Sequence, residues 1–161
     1  MKFFKLALIS FVILAIVVIV LSLLLPSRVR VSRAIDIRAE KQMVDAQVND
    51  LRNWPHWNLF VTSSNEDSIF ISRLLLQTSK LKIKLVSDDE QVVTSWQQGR
   101  SRPFDGVLVS TPHENVITVQ WYFDFKLDWY PWQKFQSIIY DKQLGPTMEK
   151  SLENLRNLAE N

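Results

Sequence analysis

The chain carries few side chains suited to making or breaking bonds. It has no cysteine and two histidines, so thiol nucleophiles are excluded and imidazole chemistry rests on His56 and His113. His56 stands between Pro55 and Trp57, and His113 sits beside Glu114 in a turn-forming stretch. Neither belongs to a His-x-x-x-His or His-Glu-x-x-His pattern, the spacings that place two imidazoles on one metal. There is no Gly-x-Ser-x-Gly elbow and no glycine-rich phosphate loop. Asp88-Asp89-Glu90 lacks the alternating ligand spacing of a calcium loop and reads as a solvated turn. No catalytic residue, metal or cofactor is therefore expected.

Two charged positions remain. Arg33 shares the parity of Val29, Val31, Ile35 and Ile37, the apolar face of a strand. Directed inward it would contact a ligand headgroup or need a carboxylate, because an unpaired buried guanidinium is costly. A bulge or twisted edge would instead send it to solvent. Asp124 lies on the polar parity of its strand and is expected at the surface.

These residues depend on the elements that hold them. From Ile117 to Leu127, the apolar residues Ile117, Val119, Trp121, Phe123, Phe125 and Leu127 alternate with polar or amphipathic ones, which predicts a half-buried strand with three aromatic rings on one face. Further strands are predicted over 28–38, 69–76, 81–86, 91–96 and 106–110, several joined by turn residues at hairpin spacing. Ala39 to Leu51 has helical spacing, which Asn53-Trp54-Pro55-His56-Trp57-Asn58 breaks. A long C-terminal helical stripe runs through Phe135, Ile138, Ile139, Met148, Leu152, Leu155 and Leu158, and Gly145-Pro146 is expected to kink or divide it. An aromatic sheet face and an amphipathic helix must bury each other, giving an α+β domain with the sheet wrapped around the helix.

The first residues belong to a different solvent. Leu6 to Leu25 contains two serines and no charge, and about 20 residues at about 1.5 Å of rise reach about 30 Å, the thickness of a bilayer's hydrocarbon core. The run exceeds a signal-peptide core and ends without a small-x-small cleavage site, so an uncleaved anchor is expected. Lys2 and Lys5 precede it and Arg28, Arg30 and Arg33 follow, nearly a tie under the positive-inside rule. The short N-terminal tail points to the non-cytoplasmic, periplasmic side for the domain. Lys2 and Lys5 also account for the whole formal charge of +2. The remainder is neutral, without the basic excess that nucleic-acid binding uses. The expected organisation is an anchor over 1–27 and one domain over 28–161.

Both ends of that domain resemble a known superfamily. Pro26 followed by Val29-Arg30-Val31-Ser32-Arg33, and then Asp50-Leu51-Arg52-Asn53-Trp54-Pro55-His56-Trp57-Asn58, resemble the opening of START-like (SRPBCC) proteins, the polyketide cyclase/dehydrase and lipid-transport superfamily. The tail from Tyr140 through Gly145-Pro146-Thr147-Met148-Glu149-Lys150-Ser151-Leu152-Glu153-Asn154-Leu155 is similar to the Met-Gly-Pro-x-x-Glu-Lys-Gly-Leu-x-Asn-Leu-Lys pattern of its membrane-anchored bacterial members. Leu144 replaces the methionine and Ser151 the second glycine. The middle of the chain matches in strand pattern alone.

The resemblance implies a helix-grip fold and a hydrophobic ligand, such as a lipid, held between sheet and C-terminal helix. It would place Trp54, Trp57, Trp96, Trp121, Phe123 and Phe125 at the wall of that cavity. Trp129, Trp132, Phe135, Ile139 and Met148 would lie along its mouth and helix side, with Arg33 as a headgroup contact. Ordinary core packing is the alternative for the aromatic set, and Trp129 and Trp132 flank Pro131 where a loop could also anchor in a bilayer interface. The expected function is a membrane-tethered binding domain for a hydrophobic small molecule, without chemistry of its own. A cyclase-like or hydrolase-like enzyme, and a partner-binding module whose cavity its own rings fill, are the alternatives.

Overall fold

A computed structural model of the chain describes residues 2–62, 70–87, 91–128 and 130–161. Trp129, the Asp88-Asp89-Glu90 turn and the start of the strand expected from residue 69 lie outside them.

The apolar run forms one helix, α1 (Lys2–Leu24), whose side chains are exposed along nearly its whole length. Its stretch Phe3–Leu24 is long and apolar enough to cross a membrane. Strand β1 (Arg28–Ile37) begins almost at once, and the Leu127 N–H donates to Ser27 O at 2.9 Å, so the pairing starts within a few residues of the helix end.

The chain then forms α2 (Lys41–Val48), a 3-10 turn (Trp54–His56) and the short α3 (Leu59–Thr62). The strands β2 (Phe70–Ile71), β3 (Leu75–Gln77), β4 (Leu81–Ser87), β5 (Val92–Gln98), β6 (Phe104–Pro112) and β7 (Ile117–Lys126) follow. Two helices end the chain, α4 (Pro131–Ser137) and α5 (Tyr140–Glu160). The seven strands form one sheet in the order β1-β7-β6-β5-β4-β3-β2, antiparallel at every pairing.

The alternation in β7 sets the inner face. Ile117, Val119, Trp121 and Phe123 are buried, and their partners on β1 are Ile37, Ile35, Arg33 and Val31, so Arg33 stands on the inner face opposite Trp121. Helix α5 crosses this face and buries Met148, Leu152, Leu155 and Ala159.

Of the two outcomes expected at Gly145-Pro146, a kink or a division, division does not occur; the break falls at Ile138–Ile139, between α4 and α5. Pro146 removes one helical hydrogen bond. Its usual clash with the Cβ of the preceding residue is missing because that residue is glycine, and packing on β1 holds the helix through the pair.

Candidate functional site: the aromatic interior

The Asn53–Asn58 segment is built around the end of α2, whose last carbonyls have no helical partner. Asn53 Nδ2 donates to Ala46 O at 2.8 Å, Trp54 Nε1 to Val48 O at 3.0 Å and Trp57 Nε1 to Gln47 O at 3.3 Å. Capping the helix in this way drives both indoles under the sheet, where they are fully buried. Ser151, at the position where the resembling pattern has glycine, accepts the Leu59 N–H at 3.0 Å and so ties the same segment to α5.

From these two indoles a continuous file of rings crosses the interior. Trp57 and Trp121 lie 5.7 Å apart, Trp121 and Phe123 5.1 Å, Phe123 and Phe104 5.4 Å, Phe104 and Phe125 4.7 Å, and Phe125 and Tyr140 4.8 Å, between centroids. Trp96 closes one flank at 5.0 Å from Phe123, and Phe60 fills the centre within 5.9 Å of Trp96, Trp121 and Phe123. These are ordinary aromatic packing distances, mostly tilted or edge-to-face. The rings pack against one another between sheet and helix.

Gly106 makes the Trp96 position possible. A Cβ there would come within 2.6 Å of Trp96 Nε1 and 2.8 Å of Phe123 Cε1. The indole N–H donates to Thr94 Oγ1 at 2.9 Å, and that hydroxyl donates to Gly106 O at 2.8 Å.

Of the sequence-selected residues, Trp54, Trp57, Trp96, Trp121, Phe123 and Met148 come together in the buried core, with Phe125 half-buried at its edge. Trp132, Phe135 and Ile139 lie outside this cluster and are exposed. Phe60, Phe104 and Tyr140 belong to the file but were not selected. Phe104 pairs with Trp96 across β5 and β6, in a part of β6 that the sequence reading, which started the strand at Gly106, left as loop.

Arg33 spans the inner face and holds two carboxylates of α5. Its guanidinium donates to Asp141 at 2.8 Å and to Glu149 at 2.6 Å, and Nη1 also reaches Ser32 O at 2.8 Å. The hydrogen bonds to Asp141 and Glu149 hold the guanidinium pKa up, and the Arg33 bond holds the Asp141 carboxyl below its usual range. Asp124 lies on the outer face as expected, paired with Arg30 at 2.7 Å.

Acid–base groups are scarce inside. Among the described residues the buried polar side chains of the domain interior are Asn58, Thr94 and Ser151, none ionisable. Asn58 Nδ2 and Trp121 Nε1 are buried donors without a protein acceptor. No cluster of His, Cys, Asp and Glu suited to a metal occurs among the described residues. A surface depression of about 130 Å³ lies at the β3–β4 turn, lined by Gln77, Thr78, Lys80 and Gln97, apart from the aromatic file. Sites for drug-sized ligands run from about 300 Å³ upward.

The chain matches no protein-family model, and no curated protein sequence is similar to it. Solved structures are similar over most of its length. A START superfamily protein from Mycobacterium smegmatis is 17% identical, with a TM-score of 0.55 over 81% of this chain and 97% of that one. A protein of Bacillus halodurans is 11% identical, with a TM-score of 0.57 over 84% of this chain and 100% of that one. Norcoclaurine synthase from Thalictrum flavum, solved with dopamine and hydroxybenzaldehyde, is 8% identical, with a TM-score of 0.56 over 81% and 86%. The domain has the START-like helix-grip fold. At these identities the likeness is one of fold, and fold does not carry function.

Proposed function

We propose that the chain is a membrane-tethered START-like domain that takes up a hydrophobic molecule at the end of its aromatic file nearest the bilayer. The observation that carries this reading is the gradient of burial along the file. Trp54, Trp57, Trp121 and Phe123 are sealed under α2, α3 and α5, whereas Phe104, Phe125 and Tyr140 are half-buried. That open end is the end joined to α1, because Phe125 pairs with Val29 one residue into β1. A lipid chain displacing or sliding beside these rings would enter without crossing water. The reading makes residues 1–27 the anchor and 28–161 the binding domain, on the non-cytoplasmic face. Among the described residues the buried polar side chains around the file, Asn58, Thr94 and Ser151, are not ionisable, and Arg33 on the inner face is committed to Asp141 and Glu149, which suits binding rather than acid–base chemistry.

A second reading, a partner-binding module filled by its own rings, draws on the close packing of the file. One experiment separates the two. The full chain is reconstituted in phosphatidylcholine nanodiscs carrying a diazirine-labelled acyl chain and irradiated, and adducts are mapped by mass spectrometry. Uptake predicts adducts on Phe104, Phe125, Tyr140 or Leu144. Adducts confined to α1 and α4 overturn uptake in favour of the self-filled module. A reporter fused to the C-terminus tests the face of the membrane.

A further inference from the structure

Helix α4 is built inside out. Lys134 and Ser137, one turn apart, face inward and are 4% and 7% exposed. Trp132 and Ile138 are 63% and 61% exposed, with Phe135 and Ile139 beside them. A helix surrounded by water does the reverse, hiding its apolar stripe and showing its polar one.

The inward polar groups have a purpose. Lys134 Nζ donates to Ser22 O at 3.0 Å and to Leu25 O at 3.1 Å. These carbonyls stand at and just past the C-terminal end of α1, where Ser22 O also accepts the Leu25 N–H at 3.2 Å and the carbonyls carry the negative end of the helix dipole. The ammonium therefore fastens α4 to the point where α1 ends. The outward face of α4 then continues the apolar surface of α1, through the exposed Leu23 and Leu24. Tyr130 and Trp132 stack beside it at 4.7 Å.

We propose that α4 and the Ile138–Ile139 turn that follows it form a membrane-interface segment, with Trp132, Phe135, Ile138 and Ile139 immersed at the boundary between headgroups and acyl chains next to the end of α1. Its height argues for lipid as the occupant. If α1 spans the hydrocarbon core, its last turn lies at that boundary, where tryptophan and tyrosine concentrate and where amphipathic helices lie in plane. The domain is then held to the membrane at two places and cannot swing freely on its tether. This inference rests on α1 spanning the bilayer, but not on ligand uptake.

The chain has no cysteine, so single cysteines can be placed in the full-length protein and labelled with an environment-sensitive fluorophore. Four variants suffice: Trp132→Cys on α4, Ile138→Cys in the turn after it, Ile13→Cys in mid-α1, and His113→Cys at the β6–β7 turn. They are reconstituted in phosphatidylcholine–phosphatidylglycerol vesicles with nitroxide lipids labelled either high on the acyl chain or near its end. The expected result is quenching of positions 132 and 138 by the shallow nitroxide at least about two-fold above position 113, as for an interfacial helix. Position 13 should respond to the deep nitroxide. If 13 is quenched while 132 and 138 match 113, the interface proposal is overturned and the tether stands. If 13 is not quenched either, the membrane-spanning reading and the proposal built on it both fall.

Discussion

The guanidinium of Arg33 lies directly over Gly145, midway along a stripe of three residues spaced four apart whose ends are the two carboxylates it holds, Asp141 and Glu149. Residues four apart share a helix face, so α5 presents acid, gap and acid in a line to β1. The gap is necessary, because a Cβ at position 145 would collide with Arg33 Nη2.

Gly145→Ala should therefore destabilise the protein. In an exposed helix interior the same change gains about 1 kcal/mol from propensity. Here a methyl group must push the guanidinium off both partners, and overpacking of this kind costs about 1–3 kcal/mol. Denaturant unfolding of the full chain in detergent reads the sign. With Arg33→Ala in the background, the alanine should cost less, leaving only the clash of its Cβ with the Pro146 ring. A stabilising Gly145→Ala in the wild-type background would refute the clasp.

The Arg33–Asp141 pair also predicts an acid dependence. The Asp141 carboxyl titrates lower in the folded chain than in the unfolded one, because Arg33 donates to its charged form. Its contribution is thus present above the ordinary carboxylate range, near pH 4, and is lost as pH falls through the depressed folded value. Asp141→Asn should lower the melting temperature at pH 7 and lose less of it than the wild type on acidification to about pH 3. Parallel melting curves for the two proteins across that window would show that the pair contributes nothing.

Much of this architecture was legible in the residues. The Ile117–Leu127 alternation defined β7, and its parity correctly assigned Trp121 and Phe123 to the inner face and Asp124 to the outer one. The uncharged run to Leu25 gave the exposed helix, and the motifs at the two ends gave the fold. What periodicity missed came from contacts between distant segments. Arg33 had two possible destinations because strand parity says nothing about the helix opposite; the signal was the acid-Gly-acid spacing of Asp141, Gly145 and Glu149, more than 100 residues away. Phe135 and Ile139 joined the helical stripe by spacing, yet the chain breaks at Ile138–Ile139 and turns α4 to face outward. A buried lysine on a helix whose apolar side is exposed is a pattern that only the fold reveals.

The four buried indoles are not equivalent. Trp54 Nε1 donates to Val48 O at 3.0 Å, whereas Trp121 Nε1 has no protein acceptor. Replacing either with phenylalanine leaves a similar cavity. Trp54→Phe also strips a partner from a carbonyl at the end of α2, and Trp121→Phe removes a donor that was already unsatisfied. Trp54→Phe should cost the more of the two, by about 1 kcal/mol or more. Equal losses in denaturant unfolding would mean that Trp121 Nε1 is satisfied in solution, as a buried water would achieve.

Lys134 offers a way to loosen the domain from α1 without touching its core. Lys134→Met keeps most of the apolar stem, which packs where it did, and removes the donors to Ser22 O and Leu25 O. Hydrogen bonds from a charged group are worth about 1.5–3 kcal/mol in total, so opening of α4 should become at least about ten-fold more frequent. Hydrogen exchange of the full chain in nanodiscs reads this directly. The hydrogen-bonded amides of α4, from Lys134 onward, should lose protection, while those of β7, paired on both sides by β1 and β6, keep theirs. Loss of protection in β7 as well would make Lys134 a support of the whole domain. Unchanged protection in α4 would mean that apolar contact with α1, rather than the ammonium, holds that helix in place.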